Sequence, residues 1–550
     1  MESVLQTPDW IVLGIYLLAL IGVALWVFSQ RNKDTEDYFL AGRNMGWFVI
    51  GASIFASNIG SEHVVGLAGT GFESGMPMAH YELHAWIVLL LGWLFLPFYI
   101  RSGAFTMPEF LEKRFDSRSR WFLSIFSLVA YVLTKVSITI YAGGIVVSEL
   151  LGIPFWYGAI GVVVFTGIYT VIGGLKAVIY TEALQTVVLI VGSVVITYLG
   201  LQEVGGWEQL RETVTAVSPD HFNMWRPMSD PDFPWTGLLI GGTIVGIWYW
   251  CTDQYIVQRT LAANNIKIAR RGAIFGAYLK LLPILIFLVP GIIAFALNLQ
   301  NPEVFAIDKA DRAFPMLVKT LLPIGLKGLV AGGLMAALMS SLASVFNSCS
   351  TIFTIDIYKK LRPEKSERQL LTIGKLATGV IVVLGIVWIP IMEKIGGGVM
   401  YQYLQNVQSY IAPPVTAVFL LGIIWKRVNA TASITTLMAG LFLLVLRLGS
   451  EIYYQPQLAT DEQLPGLLYQ FAAVNFAHMA IYMFLFSVVL CISVSLATNP
   501  PNYATIKGLS FGTLSPEDRA ANKGSYDTID IVLSVLLVVI VIGILTYFTG

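Results

Sequence analysis

Charge, histidine and cysteine are what this chain has little of. Of 550 residues only 12% are Asp, Glu, Lys or Arg, and there are five histidines and three cysteines. Cys251, Cys349 and Cys491 lie in or at the ends of apolar runs, so no disulfide framework and no zinc spacing is available. There is no HExxH, no His/Cys ligand cluster and no phosphate-binding loop, which argues against an enzyme and against a cofactor. The 34 basic and 34 acidic residues cancel, so charge points to no nucleic-acid partner, and no obligate protein partner is evident. The N-terminus lacks a basic n-region and a small-residue cleavage site, so the run from Trp10 to Phe28 reads as a retained helix.

What remains is hydrophobic: 56% of the residues, with a mean hydropathy of +0.72. That composition predicts an all-α polytopic membrane protein with the lipid bilayer as its obligatory surrounding. About fourteen apolar segments are long enough to cross a bilayer. They fall at 10–28, 45–71, 80–100, 121–150, 156–174, 177–201, 235–258, 272–298, 326–356, 370–391, 400–424, 430–448, 472–496 and 529–548. With both termini outside, the inside loops hold about 24 Lys and Arg and the outside loops about 8, as the positive-inside rule requires. The loop from Gln202 to Pro234 is acidic and belongs outside. Lys135 and Lys280 are the basic residues expected inside spans, each needing an acceptor or a hydrated cavity. Glu62, Glu82 and Glu182 are the acids at hand.

The stretch that organises the chain is Ala52–Gly71, ASIFASNIGSEHVVGLAGTG. Asn58, Ser61, Glu62 and His63 sit there at mid-depth among four glycines. Small polar residues can simply pack between helices. Ionisable residues at that depth instead suggest an unwound helix whose freed carbonyls line a cavity. A second interruption is read at Gly241–Gln258, GGTIVGIWYWCTDQYIVQ, and the two open corresponding sets of five spans. Paired breaks point to an inverted-repeat transporter with its site at mid-membrane. In Gly332–Tyr358, Ser340, Ser341, Ser344, Ser348 and Ser350 are dense for a spanning helix. Facing freed carbonyls, two adjacent hydroxyls make a site for a hard monovalent cation.

EDYFLAGR (Glu36–Arg43), TMPEFLEKRF (Thr106–Phe115), YTEALQT (Tyr180–Thr186), WYWCTDQYIVQRTLAA (Trp248–Ala263) and the Ser340–Tyr358 stretch resemble the solute:sodium symporters. Within that family they are most similar to the sodium/glucose cotransporters. The resemblance implies a five-plus-five inverted repeat of the leucine-transporter type. One extra helix precedes it (1–44), the repeats occupy 45–201 and 235–426 around the acidic loop 202–234, and three helices follow (427–550). The family's sodium site corresponds to backbone oxygens of Ala56, Ile59 and Ala337 with the hydroxyls of Ser340 and Ser341. Its sugar site corresponds to Asn58, His63, Glu82, Lys280 and Gln405, with Tyr249 as inner gate beside Trp250. Outer-gate positions are Leu67, Tyr81 and Tyr401.

The implied activity is symport of sodium with a monosaccharide by alternating access, without further cofactor; inositol, sialic acid, an amino acid, or a sugar-gated sensor are the alternatives. Where the family has an Asp this chain has Glu182, an ion-pathway residue together with Ser344. Ala343 offers no hydroxyl for a second sodium, so one sodium per sugar is expected. The cysteine-rich outer loop of animal members is missing between Asn298 and Leu326, so a bacterial inner-membrane protein is expected. Asn429-Ala-Thr431 matches a glycosylation acceptor but falls in an inside loop.

Overall fold

In hydrocarbon a backbone amide finds its partner only within its own helix or a closed barrel, and this chain takes the helical solution. The computed structural model describes residues 5–29, 34–60, 62–395, 400–460 and 464–549, with side chains throughout except at 28, 62, 133, 169, 172–173, 388–395, 400–403 and 459. No strand occurs among the described residues. Among the described residues eleven helices are long and apolar enough to cross a membrane: α1 (Thr7–Val27), α4 (Met76–Ser102), α5 (Ser117–Leu151), α7 (Gly174–Val204), α10 (Ile266–Gln300), α11 (Leu326–Leu361), α12 (Glu367–Val387), α13 (Leu404–Ile424), α14 (Ala430–Tyr453), α15 (Phe476–Ala497) and α16 (Thr528–Tyr547). The remaining three apolar segments differ from plain spans. One is a bent pair, α2 (Trp47–Asn58) and α3 (His63–Glu73), at 62° to each other. The others are the shorter α6 (Phe155–Ile168) and α8 (Gly237–Thr252), the latter followed by α9 (Gln254–Leu261).

α11 is the central post. It packs against α7, α1, α5, α12 and α2, and almost all of it is buried. α2 lies along α10, and α13 lies against α15. The turn between α6 and α7 requires glycine: Gly174 has φ +61°, and a Cβ there would meet the Tyr38 ring and carbonyl at 2.7 Å.

Both interruptions are present. α2 stops at Asn58 because Ile59 is extended (φ −81°, ψ 94°), and a wide π-turn over Glu62–Leu67 opens α3. In the second stretch the chain stays helical through Gly241, Gly242 and Gly246. It breaks only at Asp253 (φ −78°, ψ 128°), whose carboxylate accepts from the Tyr255 amide at 3.1 Å and so caps α9.

The expectation that Lys135 and Lys280 are the basic residues inside spans is corrected. Arg120, Arg270 and Arg447 lie in α5, α10 and α14 and are buried too, and Arg114 and Arg259 are buried outside those eleven helices. Arg114 shows why the cost is tolerable: it donates to the carbonyls of Gly422, Trp425 and Val428 at 2.7–3.2 Å, satisfying the C-terminal end of α13. The three cysteines are free and buried. Asn429 is 5% exposed; it caps α14 by accepting from Ala432 and donates to Thr498 and Asn499, which leaves its amide no room for a glycan.

Candidate binding site at the helix breaks

Where α2 ends, the carbonyls of Ala56 and Ser57 lose the helical donors they would otherwise have. Side chains of other elements replace those donors. Ser340 of α11 donates to the Ala56 carbonyl at 3.2 Å, Ser341 reaches the Ser57 carbonyl at 3.5 Å, and the Tyr255 hydroxyl also donates to Ser57. Two carbonyls and two hydroxyls thus converge between α2 and α11, a neutral oxygen cluster of the kind a hard monovalent cation takes. Ile59 is buried at the break itself and Ala337 is buried one turn before Ser341.

Beside this cluster lies a buried carboxylate. Glu182 of α7 accepts from Ser53, from Ser57 at 3.0 Å, from Ser340 at 3.2 Å and from Ser344. It is also ion-paired with Arg259 of α9 at 3.5 Å, and both side chains are fully buried. Arg259 donates in turn to the Ser57 hydroxyl at 2.7 Å. Glu182 therefore ties α2, α7, α9 and α11 together. Arg259 was not singled out from the sequence because it stands one position beyond an apolar window and reads there as a loop cation. The usable signal was the buried acid that needed a counter-charge.

The second feature is a cavity of about 30 Å³, lined by Asn58, His63, Tyr81, His84, Lys135, Gly246, Tyr249, Trp250, Lys280, Gln405 and others. Its polar groups form one network. Lys280 and Glu82 are a buried ion pair, His63 Nε2 is 3.5 Å from the same carboxylate, and the Asn58 amide is 3.3 Å from His63 Nε2. The Gln405 side-chain amide oxygen Oε1 is buried with no hydrogen bond among the described residues. On the aromatic side, Trp250 lies edge to Tyr249 with ring centroids 5.0 Å apart, and Lys280 lies 5.4 Å from the Trp250 ring centre. Lys135 donates to the Tyr249 hydroxyl at 3.3 Å and sits over that ring at 4.7 Å.

All seven residues assigned from the resemblance to a sugar site line this cavity or, in the case of Glu82, bind residues that do. Of the gate residues, Tyr81 and Tyr249 line it. Leu67 is buried at the end of the π-turn but is not a lining residue, and the Tyr401 side chain lies outside the described residues. Ser61 and the Glu62 side chain also lie outside them. Lys135, His84, Gln408 and Gly246 line the cavity without having been assigned to it. Asn58 belongs to the same break whose carbonyls face Ser340 and Ser341, so the cation cluster and the cavity share one structural element.

The sodium:solute symporter family matches residues 38–440. The sodium/glucose cotransporter 1 of Oryctolagus cuniculus is 40% identical over 533 residues, covering 91% of this chain and 80% of its own. The sodium/myo-inositol cotransporter of Bos taurus is 39% identical, over 93% of this chain and 76% of its own. Among solved structures, a sodium-coupled sialic acid symporter in a substrate-bound outward-open state superposes with a TM-score of 0.75 at 26% identity, covering 90% of this chain and 99% of that one. A nucleobase–cation symporter in a closed conformation shares the fold alone, with a TM-score of 0.51 at 14% identity and coverage of 87% and 99%. With the family matched over most of its length and relatives near 40% identity along nine-tenths of it, the chain belongs to the sodium:solute symporter family.

Proposed function

We propose that this protein is a sodium-driven symporter of a neutral, polyhydroxylated solute, a glucose- or galactose-like monosaccharide in the first place, moved into the cell by alternating access with one sodium per solute. The observation that carries the reading is the cavity lined by Asn58, His63, Lys280 and Gln405 together with the Tyr249 and Trp250 rings, with Glu82 behind it holding Lys280 and His63. Fixed donors and acceptors suit hydroxyls, and an aromatic wall suits the C–H face of a pyranose. Lys280 is already neutralised by Glu82. That favours a neutral solute over the carboxylate of sialic acid or an amino acid. A cyclitol such as inositol offers the same hydroxyl pattern and is the second reading, supported by the inositol cotransporters among the relatives.

Sodium between the Ala56 and Ser57 carbonyls and the Ser340 and Ser341 hydroxyls, with Ile59 and Ala337 completing the shell, ties α2 to α11 and favours the sugar-competent state. Its loss to the cytoplasm along Glu182 and Ser344 frees Tyr249 as inner gate. About 30 Å³ admits roughly one water, so the cavity must open to take a sugar, with Leu67, Tyr81 and Tyr401 on the outer side. If the bent pair α2/α3, α6 and α8/α9 each cross, the chain has fourteen spans: an extra helix in 1–44, inverted repeats at 45–201 and 235–426, and three helices in 427–550. Both termini are then outside a bacterial inner membrane. Uptake of D-glucose, D-galactose and myo-inositol into proteoliposomes, with and without an inward sodium gradient, tests the proposal. Sodium-dependent uphill uptake of one of them is expected; binding without accumulation would make the protein a sensor.

A further inference from the structure

Gly246 and His84 fit together in the cavity wall. A Cβ built on Gly246 would fall 2.5 Å from the Ile87 Cδ1 methyl, which can turn away, and 2.8 Å from His84 Nδ1 and 2.9 Å from its Cε1; one on Gly242 would be in ordinary contact with His84 Nε2 at 3.5 Å. The imidazole therefore lies along the face of α8 that two glycines one turn apart leave bare. It also meets the Tyr81 ring edge-on, with centroids 5.4 Å apart. His84 is 5% exposed and lines the same cavity as Asn58, His63, Lys280 and Gln405.

The ring is held by packing and not by polar partners. Neither ring nitrogen hydrogen-bonds to any described residue, in contrast to the Glu82–Lys280–His63–Asn58 network two residues away in sequence. A buried polar ring whose bonds the protein does not satisfy is costly to keep. In a binding cavity, the partner that satisfies it is the ligand. The chain also bends to deliver it: residues i and i+2 of a regular helix point to nearly opposite sides. Here α4 is interrupted by a turn at Leu83–His84, with His84 at φ −60° and ψ 4°, and both Glu82 and His84 reach the site.

Resting on the sugar-symport reading above, we infer that His84 is a direct substrate-binding residue that reads one hydroxyl of the solute, and that Gly246 is kept side-chain-free to make room for its ring. A neutral imidazole offers one donor and one acceptor, which matches an alcohol, itself donor and acceptor. The solute class it selects is a polyol with a hydroxyl at the position facing α8.

The test uses the full-length protein in proteoliposomes and whichever of D-glucose, D-galactose and myo-inositol the parent accumulates, together with that solute's monodeoxy analogues. His84→Ala should raise the half-saturating solute concentration about tenfold, while the half-saturating sodium concentration stays within about twofold. For one monodeoxy analogue, and for that one alone, His84→Ala should cost nothing further, because the hydroxyl it reads is already gone. His84→Gln, which keeps a donor and an acceptor, should restore most of the loss. Gly246→Ala, which displaces the ring, should reproduce the His84→Ala pattern with the same analogue. An equal loss across all analogues, or none with the parent solute, overturns the assignment of His84 while leaving sodium symport intact. A parent that accumulates none of the three solutes overturns the functional reading and this inference with it.

Discussion

Arg259 and Glu182 face each other at 3.5 Å with both side chains fully buried, between the broken helix α2 and the central helix α11. Removing one partner of such a pair leaves a bare charge in a low-dielectric interior, which costs about 3–5 kcal/mol. Arg259→Met is therefore expected to melt well below the parent in detergent. Adding Glu182→Gln should recover much of that loss, because the uncompensated carboxylate is gone. A single variant that melts like the parent would show that the pair is not compensating a buried charge.

The Lys280–Glu82 pair and Gln405 give a prediction on transport. Lys280→Ala, Glu82→Ala and Gln405→Ala should each weaken sugar uptake at least about tenfold, since each leaves a hydroxyl or a buried partner unpaired at about 1–3 kcal/mol. Sodium affinity should survive in Gln405→Ala, whose side chain is not part of the cation cluster. Normal uptake in all three would remove the cavity from the substrate path.

Ser340→Ala and Ser341→Ala each take one hydroxyl from the cluster formed with the Ala56 and Ser57 carbonyls. Each should raise the sodium concentration for half-maximal uptake, with lithium and potassium substituting poorly. Equal uptake driven by a proton gradient without sodium would show that the cation has been misidentified.

The loop 202–234 is latched by His221, whose ring contacts the Gly71 carbonyl at 2.9 Å and stacks on Phe295 at 4.8 Å. Burial pushes the His221 pKa down from 6.5 to about 4, with Arg226 adding to the shift and the Gly71 contact opposing it. A histidine depressed in the folded state is neutral there, so its contribution is full above pH 6.5 and is lost as pH falls toward 4. Between pH 7 and pH 5 this costs about 2 kcal/mol. The melting temperature should fall over that interval, and less so in His221→Gln; an equal fall in both would place the pH sensitivity elsewhere.

The two helix breaks were legible in sequence for different reasons. At Asn58–Gly60 polar residues and glycine coincide at mid-depth, and the backbone does leave the helix there. In the second stretch the glycines were misleading markers. Gly241, Gly242 and Gly246 stay helical and serve close packing against neighbours such as His84, and the break comes at Asp253, which can cap the helix that follows. A glycine in a packed bundle specifies closeness as readily as flexibility. Arg259 and His84 were hidden by regularity assumptions: one lay a residue past an apolar window, and the other stands two residues after Glu82, a spacing that no regular helix would bring to a single face.

Sodium is predicted to drive solute uptake one for one. Glu182, the acid nearest the cation cluster, is already taken up by four serine hydroxyls and Arg259, and the neighbouring Ala343 offers only a methyl, so a second sodium would be left short of oxygens. A tenfold sodium gradient is worth about 1.4 kcal/mol and 100 mV about 2.3 kcal/mol. One sodium then supports roughly 500-fold accumulation, and two on the order of 10⁵-fold. The direct measurement is the membrane voltage that nulls net sugar flux in proteoliposomes at fixed sodium and sugar gradients. A null voltage corresponding to one sodium per sugar is predicted. A ratio of two, or a null voltage that does not move with the sodium gradient, would contradict one-for-one coupling to sodium.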